Sequence, residues 1–291
     1  MPITDEELAL AAAQAGAAVV RAMYGGPLTR FEKSADDFAT AADIEAERAI
    51  LDVIRTARPD DAVTGEESGR TGRDDAERVW LVDPLCGTLN YAARSMLVAV
   101  NVALRTGSGV TAAACADPFS GEVFWTGGTS ETGGTGGTGG TGGTGGTGGI
   151  GGARAYVRRD GVDEPLAPSA GSRLVDVNLD PPFPNAPGFR AVRLLAEPGF
   201  AERFRPRVVS TTLAVTWVAA GRRAAYVTDG HLEDSVHFAA GMALCRAAGC
   251  VVTGIDGRPP HTGAGGLVVA ADRETHAALL ELIGGQLPSG R

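Results

Sequence analysis

The chain is poor in residues that mark several common classes of protein. Aromatic side chains make up 5% of its 291 residues, so the core has to be built from small and aliphatic groups. The cysteines number four, Cys86, Cys115, Cys245 and Cys250, and none forms a Cys-x-x-Cys pair. That pattern gives no disulfide framework; Cys115, Cys245 and Cys250 sit among apolar residues and read as reduced, buried thiols of a cytoplasmic protein. No run of about 18 apolar residues occurs, which argues against a transmembrane helix and a membrane partner. Met1 to Glu7 also lacks the positive charge and apolar stretch of a secretory signal. Basic blocks are missing as well. With a net charge of −9, nucleic acid is not an expected partner, because phosphate backbones demand Lys and Arg.

What the chain does contain is 44% hydrophobic residues, largely Ala and Val, in a length that suits one α/β unit with two packed halves. Thr4 before Asp5-Glu6-Glu7 predicts a helix cap, and Leu8, Ala12, Ala15, Val19 and Met23 continue at helical spacing until Gly25-Gly26-Pro27. Glu32 to Asp43 reads as a polar loop, with Thr40-x-x-Asp43 as a capping box opening a second helix to about Arg55. Strands are expected at Ala62–Thr64, Met96–Leu104, Ala112–Ala116, Val123–Trp125, Ala153–Val157, Arg173–Leu179, Ala225–Val227 and Gly266–Ala271. Helices are expected at Phe189–Leu195, within Val208–Arg222, and at Arg273–Ile283, while Pro181 to Pro187 reads as loop. Residues 127–152 differ in kind, with Thr-Gly-Gly repeated from Thr132 to Gly149. Having no apolar side chain to bury, this insertion predicts a disordered surface loop; a linker between independent domains is the competing reading.

Two stretches carry chemistry. In Trp80-Leu81-Val82-Asp83-Pro84-Leu85-Cys86-Gly87-Thr88-Leu89-Asn90-Tyr91 an apolar run ends on a carboxylate, a proline turns the backbone outward, and Gly-Thr opens a helix. A carboxylate, a free carbonyl and exposed N–H groups then share one place, which suits a divalent cation and a phosphate. Gly65-Glu66-Glu67-Ser68 precedes it; two adjacent glutamates alone would be a solvated corner.

Together these stretches resemble the signatures of the inositol monophosphatase superfamily, and a third resemblance follows at Asp234-Ser235-Val236-His237-Phe238-Ala239-Ala240-Gly241. The resemblance implies the family's αβαβα sandwich as a single domain, with halves at about 1–125 and 153–291 around the insertion. It implies Mg held by Glu66, Asp83 and the Leu85 carbonyl, with Glu66 and Thr88 orienting the attacking water. Asp43 joins them as a catalytic residue. Gly87 and Thr88 would bind phosphate, and Lys33, Asp37, Thr40 and Asp43 would line the metal site and support a third, weaker cation position. It also implies a small phosphorylated substrate and a homodimer.

Several family positions are changed. Cys86 replaces the second signature Asp and His237 the Asp of the third motif, so the second metal set becomes Asp83, Cys86 and His237. Ala224 stands where an Asp is common, Val209 where Gly is, Val236 where Trp is, and Ala247 where Glu is. A thiol and an imidazole suit Zn or Fe better than Mg. Two readings follow: a hydrolase with a rewired centre, or a degenerate pocket that binds a ligand without turnover. Glu233 and Asp234 are possible substitute ligands, and a Cys86 nucleophile is a third option for which the sequence indicates no particular base.

Overall fold

The computed structural model describes residues 2–34, 37–107, 109–127, 154–179, 190–230 and 232–287. Helix α1 (Asp5–Met23) begins with the expected capping box: the Glu7 amide donates to Thr4 Oγ1 at 3.2 Å and the Thr4 amide to Glu7 Oε2 at 3.0 Å. A hairpin of β1 (Arg30–Ser34) and β2 (Asp37–Thr40) follows where a polar loop was expected. Its polar sequence conceals the pairing because Arg30 to Lys33 of β1 are exposed and show no buried face. Helix α2 (Ala41–Ala57) then starts at Thr40.

The next elements are β3 (Ala62–Gly65), β4 (Gly69–Thr71), β5 (Arg78–Cys86), the short α3 (Thr88–Ala92), β6 (Ala99–Thr106), β7 (Gly109–Ala116), β8 (Val123–Gly127), β9 (Arg154–Arg159) and β10 (Val162–Pro165). They form an eight-stranded sheet ordered β10-β9-β8-β7-β6-β5-β3-β4. The second part comprises β11 (Leu174–Val177), α4 (Ala191–Leu195), α5 (Pro198–Arg203), β12 (Arg205–Val208), α6 (Leu213–Ala219), β13 (Ala225–Thr228), α7 (Ala239–Ala248), β14 (Val251–Thr253), β15 (Leu267–Ala270) and α8 (Arg273–Gly284). Its five strands run β12-β11-β13-β15-β14.

Five layers follow from which side chains are buried together. Leu8, Val20, Ile50 and Ile54 of α1 and α2 pack on Trp80, Val82 and Val100 of the large sheet. Its other face, with Leu81, Ala103 and Phe124, meets Leu213, Ala240 and Leu244 of α6 and α7. The same two helices turn Val215, Val218 and Met242 onto Tyr226 and Val269 of the smaller sheet. Phe200, Leu279 and Ile283 cover that sheet's outer face. This is the αβαβα sandwich expected. Small residues dominate the middle helices, which lets two sheets approach a single helical layer.

Three boundaries differ from the sequence reading. β9 pairs onto β8 and β10 onto β9, so both strands join the first sheet although the reading put the second half from 153. Val208 ends an edge strand paired with β11 instead of opening a helix, and α6 begins only at Leu213. The strand placed at Met96 starts at Ala99, because the Leu97 carbonyl is turned to accept from Asn90 Nδ2 at 2.9 Å. The Thr-Gly-Gly insertion and the Pro181–Pro187 loop fall outside the described residues. Among those described, no helix is long and apolar enough to cross a membrane.

Candidate active site

β5 and β6 pair antiparallel, with Asp83 opposite Asn101 and Cys86 opposite Ala99. Three steps on β5 therefore match two on β6, a bulge at Pro84 and Leu85. Proline has no N–H for the ladder, so the strand yields there. The consequence is chemical. Residues three apart normally face opposite sides of a sheet, but the extra residue brings Cys86 to the same face as Asp83. Beyond it Gly87 takes φ 101°, ψ 41° and starts α3 without a side-chain cap. A Cβ at Gly87 would also lie 2.9 Å from the Leu97 carbonyl.

β3 runs parallel to β5 and places Gly65 beside Val82, and the Glu66 amide donates to the Val82 carbonyl at 3.0 Å. Glu66 is thereby held next to Asp83. Glu47, buried on α2, accepts the Glu67 and Ser68 amides at 2.8 Å each and fixes the turn. Lys33 reaches in from β1, its Nζ 3.3 Å from Glu66 Oε1 and 2.7 Å from Glu67 Oε1. Burial lowers the Lys33 pKa, but the two carboxylates outweigh it and hold the ammonium charged. Asp43 is buried at the start of α2 and accepts from the Thr40 amide at 2.8 Å and the Thr88 hydroxyl at 2.9 Å. Burial raises its carboxyl despite those bonds.

Asp83 is completely buried. Its Oδ1 accepts the Leu85 amide at 3.2 Å, while Oδ2 accepts Asn101 Nδ2 at 3.2 Å and contacts His237 Nδ1 at 2.8 Å. Burial pushes this carboxyl up, but the His237 charge and the hydrogen bonds prevail and lower it. His237 is half-buried; burial lowers its pKa, and Asp83 more than reverses that, raising it well above the ordinary value. Glu66 differs in sign: burial, then the Asp83 charge, raise it to about 8. Its inner oxygen Oε2 is buried with no hydrogen-bond partner among the described residues, and the His237 Nδ1 atom is 4.0 Å away.

Asp83, Cys86 and His237 come together as the sequence implied, with one ligand atom from each lying within 4.8 Å of the others. Their donor set fits a thiophilic divalent cation better than Mg. The unpaired Glu66 oxygen beside Asp83 and the Leu85 carbonyl fits a hard one. Burial and then the Asp83 charge raise the Cys86 thiol above its ordinary pKa, which counts against a standing thiolate nucleophile.

The proposed substitute ligands are not assembled there. Asp234 takes a positive φ of 55° and pairs with Arg105 on β6, and its side chain is 60% exposed. Glu233 is exposed too. Each points outward because the turn before His237 spends its curvature on bringing the imidazole inward.

Two contributors escaped the sequence reading. Glu47 lies four residues after Asp43 on the buried stripe of α2, and Asn101 interrupts an otherwise apolar strand. Both are buried polar residues in apolar patterns, the one signal that could have revealed them.

Comparison with known proteins gives the family and the fold. The chain matches the inositol monophosphatase family over residues 3–286. It is 29% identical over 254 residues to an inositol-1-monophosphatase of Caulobacter vibrioides, covering 86% of this chain and 88% of that one. It is similarly 29% identical over 256 residues to the Nus factor SuhB of Pasteurella multocida, covering 83% and 80%. The fold superposes on the SuhB protein of Bartonella henselae with a TM-score of 0.74 at 22% identity, over 95% and 96% of the two chains. An inositol monophosphatase of Anabaena superposes with a TM-score of 0.71 at 24% identity, over 97% and 96%. The chain therefore belongs to the inositol monophosphatase family.

Proposed function

We propose that the protein is a metal-dependent hydrolase of a small phosphate monoester, an inositol, sugar or nucleotide phosphate, with a remodelled second cation position. The carrying observation is the buried, unpaired Glu66 Oε2 beside Asp83, with Thr88 hydrogen-bonded to Asp43. Glu66, Asp83 and the Leu85 carbonyl would hold Mg; Asp83, Cys86 and His237 would hold Zn or Fe. Bound cations neutralise charge on the transferring phosphoryl group and lower the pKa of water.

The chain's own groups do the rest. The Thr88 hydroxyl donates to Asp43, so its oxygen would accept a hydrogen bond from an attacking water, and Glu66 would accept the other. Amides of Gly87 and Thr88, uncapped at the start of α3, would face phosphate oxygens. The exposed Leu89, Met96 and Leu97, 60%, 58% and 41% accessible, support the homodimer the family implies.

One observation favours the alternative of ligand binding without turnover: His237 Nδ1 and Asn101 Nδ2 already occupy Asp83 Oδ2, at 2.8 and 3.2 Å. Elemental analysis and phosphate release from a panel of phosphomonoesters with Mg, Mn or Zn separate the two readings. Hydrolysis that requires a divalent cation and is lost in Asp83→Asn is the expected result. A protein that retains no metal and releases no phosphate would overturn it.

A further inference from the structure

Beneath the cluster of Asp83, Cys86 and His237 lies a polar group that neither motif contains. Asn101 is fully buried on β6, directly opposite Asp83. Its amide nitrogen makes two contacts, to Asp83 Oδ2 at 3.2 Å and to Thr212 Oγ1 at 2.8 Å. An amide NH2 has two hydrogens and no acceptor lone pair, so both contacts are donations.

Having accepted from Asn101, the Thr212 hydroxyl anchors that amide from the second half of the molecule. Meanwhile Asn101 Oδ1 is buried with no partner among the described residues. A group that leaves its carbonyl unsatisfied to keep both N–H bonds is held by its donor end. Asp83 is an anion, so a donor is what that position requires; a carboxylate would repel it, and an apolar side chain would leave both partners without their hydrogen.

That anchor crosses the molecule. Asp83, Cys86 and Asn101 belong to the large sheet, whereas Thr212 sits at the entrance to α6 in the second half. We propose that Asn101, anchored by Thr212, is a positioning residue that fixes Asp83 as a ligand of the thiophilic divalent cation held with Cys86 and His237. This rests on the reading of Asp83, Cys86 and His237 as a metal position given above. Outer hydrogen-bond partners of metal ligands change affinity by roughly 10- to 100-fold when removed.

Cobalt(II) is the probe, because a coordinated thiolate gives it a near-ultraviolet charge-transfer band. When cobalt binds, the Cys86 S–H proton leaves to solvent and a sulfur–cobalt bond forms. Asn101→Leu, similar in size and without donors, is expected to weaken cobalt binding by about tenfold or more. Thr212→Val, which removes the anchor of the Asn101 amide, is expected to keep the thiolate band and weaken cobalt binding, a loss of affinity that a merely space-filling role would not produce. Thermal unfolding accompanies both. If Asn101→Leu does not fold, Thr212→Val decides alone, and wild-type cobalt affinity in it overturns the proposal. Wild-type affinity and band in both variants also overturn it, leaving the metal position itself intact. Wild-type protein that shows no thiolate band sinks the metal position and this inference with it.

Discussion

Gly65 has no room for a side chain, because a Cβ there would lie 2.6 Å from the Glu47 carboxylate. That carboxylate is the group that fixes the Glu66–Glu67 turn, so the glycine and the buried acid form one device. Gly65→Ala should cost about 1–3 kcal/mol in urea denaturation, the usual penalty of overpacking, and weaken divalent-cation binding through Glu66. A variant as stable as wild type would show that Glu47 moves aside freely. At the same scale, protons compete with cations. Glu66 holds its proton to about 8 when metal-free, against an ordinary value of 4.5, so between these the folded state carries more protons than the unfolded one. Stability of the metal-free protein therefore falls as pH rises through that window, and His237, raised as well, acts in the same direction above its ordinary value of 6.5. A cation displaces those protons. Manganese binding is expected to strengthen by roughly tenfold per pH unit for each proton displaced as pH climbs toward 8. Calorimetric titration checks it, and an affinity flat from about pH 6 to pH 8 would contradict the assignment.

Among the elements, α2 carries more of the site than its length suggests. Its capping residue Thr40 accepts the Ala42 amide at 3.2 Å, and the Thr40 amide donates to Asp43 at 2.8 Å. One turn later the same helix supplies Glu47. Thr40→Ala should therefore lower stability by about 1 kcal/mol, as lost caps do, and loosen the Asp43–Thr88 bond. The expected readings are a lower midpoint in thermal unfolding and a reduced rate of phosphate release, whereas a stability loss with unchanged turnover would separate the cap from the catalytic role. The bulge of β5 is the second such element. It was visible as a proline within an apolar run, but its effect on facing was not, since facing depends on the partner strand.

For the whole molecule, the two halves are tied outside the site by Glu122. It lies between β7 and β8 and accepts Arg222 at 2.5 and 2.7 Å and Arg159 at 2.6 Å. Arg222 follows α6, so the pair spans the interface of sheet and middle helices. Burial raises the Glu122 carboxyl, but the two guanidinium groups prevail and lower it. Its contribution is present above the unfolded carboxylate pKa and is lost as pH falls through the lower folded value. Glu122→Leu is expected to cost about 1–3 kcal/mol at neutral pH, measured by urea denaturation, because Arg222 loses its carboxylate and Arg159 keeps only Glu164. Equal stability would mean solvent replaces it fully.

By itself the sequence determined the helix starts at Thr4 and Thr40 and, through its resemblance to the family, the layered α/β architecture and the candidate site of Glu66, Asp83, Leu85, Thr88 and Asp43. These were legible because periodicity, caps and short signatures act over a few residues. The chain's departures from the family pattern, Cys86 and His237, were equally visible as letters. Tertiary structure alone decided what those letters do. His237 meets Asp83 across 154 residues, Asn101 meets Thr212 across 111, and Asp234 is drawn off to Arg105 across 129. It also moved β9 and β10 into the first sheet. The physical reason is that pairing, facing and the electrostatics of a buried carboxylate depend on groups brought from distant segments, whose distances no local pattern encodes.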